Sequence, residues 1–168
     1  MKIGVRMTRS YVFLWDIDGV LADWNHRLMC CDRDEFYARM KDDPPIPAGV
    51  VIYNMLVTQA QIIGHAVQHG KLENAEIPYV DVMTCRPRST AQITYEWFQA
   101  NGLLMPRAIH MREDDDHRPH KEIKMDMYER YYKDKEEVLV LFEDNIETIK
   151  AFRDIGITVY QVCESPLH

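Results

Sequence analysis

The chain has 168 residues, 46% of them hydrophobic and 28% charged, ordinary globular values that exclude disordered and fibrous classes. A net charge of −7 at pH 7 argues against a broad electrostatic footprint on nucleic acid, so a phosphate-bearing ligand would have to be met by a few placed cations. One domain over residues 1–168 is the simplest expectation, with enough chain to bury a core without staples. Lys2, Arg6 and Arg9 precede an apolar run far too short for a signal or membrane segment, which points to a soluble, cytoplasmic protein with no membrane partner. Cys30, Cys31, Cys85 and Cys163 show no C-x-x-C or zinc spacing and are expected as reduced thiols.

In chain order, the run from Tyr11 to Trp15 reads as a strand buried on both faces. It ends in Asp16 and Asp18, with Gly19 directly after. Two close carboxylates leaving a core raise each other's proton affinity unless a cation shares the site. Taken alone, the stretch reads equally well as a strand followed by an Asp/Gly turn. Residues 23–47 are irregular, with a short helix expected around Asp34 to Met40 and a proline cluster after it, so they read as a small lid beside the strand end. From Pro47 to His69 the pattern is helical, with Ile52, Leu56, Ile63 and Val67 on one face and Met55, Ile62 and Ala66 broadening it. Such a wide stripe is expected to pack on a sheet, with Gly70 as the C-terminal cap.

A second strand is expected over Tyr79 to Thr84, followed by Cys85, Arg86 and Pro87. Ser89 and Gln92 resemble a capping box opening a helix that carries Ile93 and Trp97 and stops at Gly102. A short strand over Ala108 to Met111 precedes an acidic run, Glu113 to Asp116, which reads as a solvated loop. Pro119 suits the first turn of a helix in which Ile123, Met127 and Tyr131 recur, with Lys124 beside that stripe. Val138 to Phe142 is the least ambiguous strand and ends in Glu143, Asp144 and Asn145. Asn145 is the expected N-cap of a helix ended by Gly156, and Thr158 to Val162 supplies a last strand.

Strands alternating with amphipathic helices mean right-handed crossovers and a parallel sheet, an α/β three-layer, Rossmann-like fold. In such sheets ligands bind at the carboxyl ends of the strands, where Asp16, Asp18, Thr84, Arg86, Glu143 and Asp144 all fall. Asp16, Asp18 and Asp144 as metal ligands suit a hard divalent cation, best Mg²⁺. Thr84 and Lys124 suit the oxygens of a phosphoryl group in transfer.

The motifs Asp16-Ile17-Asp18-Gly19-Val20-Leu21, Thr84, a lysine and Glu143-Asp144 resemble, in order, those of haloacid dehalogenase (HAD) superfamily phosphatases. That resemblance implies Asp16 as nucleophile, Asp18 as general acid and base, Asp144 with the Ile17 carbonyl completing a metal shell, Thr84 on the phosphoryl oxygens, and Lys124 balancing charge, supported by Glu143. Asp23-Trp24-Asn25-His26-Arg27, Thr84-Cys85-Arg86-Pro87, Met111-Arg112 and Arg118-Pro119 look like the 3'-phosphatase domains of bacteriophage-type polynucleotide kinase-phosphatases. By that resemblance Arg27 and Arg86 would bind the substrate phosphate or its neighbour, and Arg112 and Arg118 would line the loop facing it. The implied substrate is a 3'-phosphate end of a nucleic acid. A 5'(3')-deoxyribonucleotidase acting on free nucleoside monophosphates is the alternative, and a non-enzymatic phospho-receiver domain a more distant one. The sequence leaves the oligomeric state open.

Overall fold

The computed structural model describes residues 10–73 and 75–162; Lys2, Arg6, Arg9 and Cys163 lie outside them. β1 (Ser10–Trp15), β2 (Ile77–Pro87), β3 (Ala108–Arg112), β4 (Glu137–Glu143) and β5 (Thr158–Gln161) form one parallel sheet in the order β3-β2-β1-β4-β5. The helices are α1 (Arg33–Ala38), α2 (Pro47–Gln68), α3 (Ala91–Ala100), α4 (His120–Tyr131) and α5 (Ile146–Asp154). β1 is central, and its side chains alternate between two cores as a strand's must. Val12 and Leu14 pack with Ile123 and Met127 of α4 and Ile149 and Phe152 of α5. Phe13 and Trp15 pack with Tyr53 and Val57 of α2 and Trp97 and Phe98 of α3. This is the expected three-layer α/β fold. Asp16 continues the alternation on the α4 side, and Lys124 of that helix meets it there.

Three local expectations are overturned. α2 buries only part of the stripe chosen from its periodicity: its fully buried residues are Gly49, Tyr53 and Val57 and Leu56 packs beside them, while Ile52, Met55 and Ile62 are exposed, Met55 to 66%. The helix contains no Asp, Glu, Lys or Arg, so hydropathy had only the weaker contrast of uncharged polar residues such as Asn54, Thr58, Gln61 and Gln68 with which to choose the buried face. Close approach and one hydrogen bond choose it instead. A Cβ on Gly49 would lie 2.3 Å from the Val20 carbonyl oxygen, and the Tyr53 hydroxyl donates to the Leu104 carbonyl at 3.0 Å. By length and composition alone α2 could cross a membrane; in the fold its Tyr53 and Val57 belong to the sheet's core. The capping box also fails. A 3-10 turn over Arg88–Thr90 precedes α3, whose N-cap Thr90 makes no side-chain cap bond, and Gln92 donates to Glu96 at 2.7 Å. Pro119 is the N-cap residue of α4 rather than a residue of its first turn.

The segment after β1 holds a 3-10 turn (Asn25–Met29), α1 and a second 3-10 turn (Arg39–Asp42). Its two ends are fastened together, Asp23 N–H donating to the Pro44 carbonyl at 2.8 Å and Ile46 N–H to the Leu21 carbonyl at 2.7 Å. The expected small insertion is therefore a closed loop standing at the carboxyl end of β1.

Candidate active site

The turn after β1 is wound around one carbonyl. The Ile17 carbonyl oxygen accepts from the amides of Val20, Leu21 and Ala22 at 3.2, 2.8 and 2.9 Å. That use occupies the oxygen expected as a metal ligand and corrects the expectation. Gly19 adopts φ +82, and a Cβ there would lie 2.1 Å from Asp144 Oδ2. Only glycine lets β1 and β4 bring their carboxylates this close.

A cleft of about 560 Å³ opens at these strand ends, and Asp16, Asp18, Arg27, Thr84, Arg86, Arg112, Arg118 and Asp144 all line it. Lys124 and Glu143 stand fully buried behind them. Lys124 Nζ bridges Asp16 Oδ2 at 2.7 Å and Glu143 Oε2 at 2.6 Å. Burial works against its charge, but Asp16 and Glu143 more than offset this and hold its pKa above the usual range. Lys124, expected to balance charge with Glu143 in support, is thus the central cation of the cluster. Glu143 Oε1 accepts from the amides of Asp144 and Asn145 at 3.3 and 3.1 Å; Asn145 in turn caps α5 as expected, its Oδ1 accepting from Thr148 N–H at 3.0 Å.

The carboxylates that could share a cation are Asp16, Glu143 and Asp144, with one oxygen of each within 4.8 Å of the others. Asp18, expected in that set, turns its side chain elsewhere. Its Oδ1 accepts from Arg27 Nη2 at 2.5 Å and Arg86 Nη2 at 2.7 Å, and its Oδ2 from Arg86 Nε at 3.1 Å. The residues fit a hard divalent ion. Asp16 Oδ1 is buried with no hydrogen-bond partner, a state that costs free energy unless a cation or proton completes it. Asp16 and Asp144 would hold such an ion, since the Glu143 oxygens already serve Lys124 and the backbone.

The two members of the Asp16/Asp18 pair are driven in opposite directions. Burial pushes the Asp16 carboxyl up to about 7 despite Lys124. Asp18 is also subject to burial, but Arg86 and then Arg27 outweigh it and hold the carboxyl below its ordinary value. Asp144 is raised to about 6 by burial and by Asp16. Between about pH 4 and pH 7 the metal-free native state therefore keeps protons that the unfolded chain has released, so its stability falls as pH rises through that window. The Tm of chelator-treated protein is expected to drop from about pH 5 to about pH 7.5, and Mg²⁺ to raise Tm more at the upper pH. An equal Mg²⁺ shift at both pH values would contradict this placement of the ion.

Asp43 escaped the sequence reading. It lies at the end of the insertion, beside the prolines that were read only as a helix stop, yet it is fully buried. Its Oδ1 stands 2.8 Å from Arg27 Nε and its Oδ2 accepts from Arg86 Nη2 at 2.7 Å, while its carbonyl accepts from Trp97 Nε1 at 2.7 Å. Asp18 and Asp43 thus share two arginines, and burial raises Asp43 to about 6 despite them. Arg27 and Arg86, expected to receive phosphate, are committed first to Asp18, and each retains a buried Nη1 without a hydrogen-bond partner. Arg112 is a cross-link: Nε donates to the Cys85 carbonyl at 2.9 Å, Nη1 to the Asp116 carbonyl at 2.7 Å and Nη2 to the Tyr37 hydroxyl at 3.0 Å. Arg118 sits on the rim between Asp116 at 2.8 Å and Asp126 at 2.6 Å. The Thr84 hydroxyl accepts from Arg86 N–H at 3.3 Å, which leaves its own proton for a ligand oxygen. Burial pushes the Cys85 thiol up to about 12, so it is no thiolate nucleophile.

The family model of the polynucleotide kinase PNKP phosphatase domain matches residues 10–166. The chain belongs to this family. It is a phosphatase of the HAD type, and its motifs carry the resemblance that the sequence suggested. No curated protein matches the sequence. Among solved structures, a chain of a Pnkp1/Rnl/Hen1 complex matches with TM-score 0.67 at 16% identity over 96% of this chain and 48% of its own. A chain of the Pnkp1/Rnl/Hen1 RNA repair complex matches with TM-score 0.70 at 15% identity over 99% and 48%. The class C acid phosphatase from Bacillus anthracis with tungstate bound matches with TM-score 0.55 at 11% identity over 95% and 68%. These likenesses show the fold, and the chain spans about half the length of the first two.

Proposed function

We infer that the protein is a Mg²⁺-dependent phosphomonoesterase that removes the 3'-phosphate from nucleic-acid ends through an aspartyl-phosphate on Asp16. The observation that carries this reading is the division between the two aspartates. Asp16 presents a buried, unpartnered Oδ1 beside Lys124 and Asp144, while Asp18 stands apart in the grip of two arginines, its side chain a quarter exposed.

In the first step Asp16 Oδ1 attacks phosphorus, and the bond from phosphorus to the leaving 3'-oxygen breaks. Asp18, released from the arginines and protonated, gives its proton to that oxygen. In the second step a water attacks the phosphorus of the aspartyl-phosphate, Asp18 takes its proton, and the bond to Asp16 Oδ1 breaks, freeing inorganic phosphate. Lys124 lies against the other Asp16 oxygen and balances charge in both steps, and the Thr84 hydroxyl donates to a phosphoryl oxygen. A Mg²⁺ ion held by Asp16 and Asp144 would neutralise phosphoryl charge.

The nucleic-acid end is supported by family membership and by a structural neighbour that belongs to an RNA repair complex. Phosphate release in Mg²⁺ from a 3'-phosphorylated oligonucleotide, compared with a panel of nucleoside 5'- and 3'-monophosphates, tests it. The oligonucleotide is expected to give the highest kcat/KM; release from mononucleotides alone would replace this reading with that of a nucleotidase.

A further inference from the structure

The cleft wall built by the insertion differs in chemistry from the wall built by the sheet. Trp24, Phe36 and Tyr37 line it together, half-buried. Trp24 and Phe36 meet edge to face at 6.3 Å, Phe36 and Tyr37 at 5.7 Å. The rings are anchored by the catalytic cluster: the Arg27 guanidinium lies 4.7 Å from the Phe36 centroid, and Arg112 holds the Tyr37 hydroxyl. A phosphoryl group has no use for such a wall, and a cleft of about 560 Å³ falls in the range that accepts ligands much larger than phosphate.

Next to these rings stands Arg33, the first residue of α1, exposed and lining the same cleft. The other lining guanidinium groups are committed, Arg27 and Arg86 to Asp18 and Asp43, Arg112 to carbonyls, Arg118 to Asp116 and Asp126. Among the described residues Arg33 is the lining arginine with neither a carboxylate nor a carbonyl partner. In a chain of net charge −7, an uncommitted arginine at the mouth of the site is where a second anion is met at least cost.

Resting on the phosphatase reading above, we propose that the insertion is a nucleotide subsite, in which the terminal base stacks on Trp24, with Phe36 and Tyr37 completing the aromatic wall beside it, and Arg33 binds the phosphodiester one nucleotide upstream. The ligand class is a single-stranded, 3'-phosphorylated oligonucleotide of two or more nucleotides. Stacking favours an unpaired end, because a base within a duplex already has both faces covered, and it tolerates any sequence because every base offers a π-face.

Steady-state kinetics of the wild type, Arg33→Ala and Trp24→Leu on p-nitrophenyl phosphate, a nucleoside 3'-monophosphate and a 3'-phosphorylated dinucleotide test this. For Arg33→Ala, KM for the dinucleotide is expected to rise about tenfold more than KM for the mononucleotide, and the salt dependence of log KM for the dinucleotide to weaken by about 0.7. Trp24→Leu is expected to raise KM for both nucleotides about tenfold relative to p-nitrophenyl phosphate. If Arg33→Ala shifts all three substrates by one common factor, the subsite is wrong while the phosphatase reading stands. A wild type that hydrolyses p-nitrophenyl phosphate and neither nucleotide overturns the subsite together with the nucleic-acid reading.

Discussion

Asp16→Asn is expected to lower kcat by about 10⁴-fold or more, the scale on which loss of a nucleophile acts, with the fold retained. Asparagine matches aspartate in shape, and Lys124 keeps Glu143 Oε2 at 2.6 Å, so the substitution leaves the buried lysine with a counter-charge. The amide also ends the conflict that pushes Asp16 up to about 7, so Tm at about pH 8 is expected to hold or rise. Phosphate release and thermal melts on the same preparation separate the two effects. Activity within about tenfold of wild type would remove Asp16 from the nucleophile's role.

Lys124→Met is expected to be the most destabilising single change at the site. It strands Asp16 and Glu143, both buried, with no cation between them, and breaking a buried pair from one side typically costs about 3–5 kcal/mol. For a domain of this size that amounts to a fall in Tm of roughly 10 °C. The loss should shrink toward about pH 5, because carboxyls whose proton affinity is already raised by burial can then be neutralised by protons. Melts at about pH 5 and pH 8 check this, and a Tm unchanged at the higher pH would show that the bridge contributes nothing to stability.

What the sequence made legible was set by local physics. β1 and β4 are apolar runs whose carboxyl-terminal halves lie in the core, and their register delivers Asp16 and Asp144 to one edge wherever the helices lie. Asn145, Gly70 and Gly156 mark helix ends through bonds and backbone angles that short segments determine. The misread face of α2 had the opposite cause: a helix without a charged residue carries only a weak local sign of which side is inward, and the choice fell to Gly49 and Tyr53 through partners distant in the chain. The same limit hid Asp43. Nothing around Asp42-Asp43-Pro44 distinguishes the second aspartate from the first, and its burial appears only when the closed insertion meets Arg27, Arg86 and Trp97. Asp18 was legible as a site residue but not in its bonding, because two arginines from separate elements, nine and 68 residues away, decide where its carboxylate points. The motif residues were thus readable in order, and the charge network that divides their roles was not.

The account rests on Asp16 carrying the phosphoryl group between the two steps. Rapid acid quench of the wild type turning over a 3'-³²P-phosphorylated oligonucleotide in Mg²⁺ measures this directly. The account predicts hydroxylamine-labile label on the peptide that contains Asp16, absent in Asp16→Asn. Phosphate released from the first turnover onward with no label on the protein at any quench time would contradict it and would point to direct attack by water.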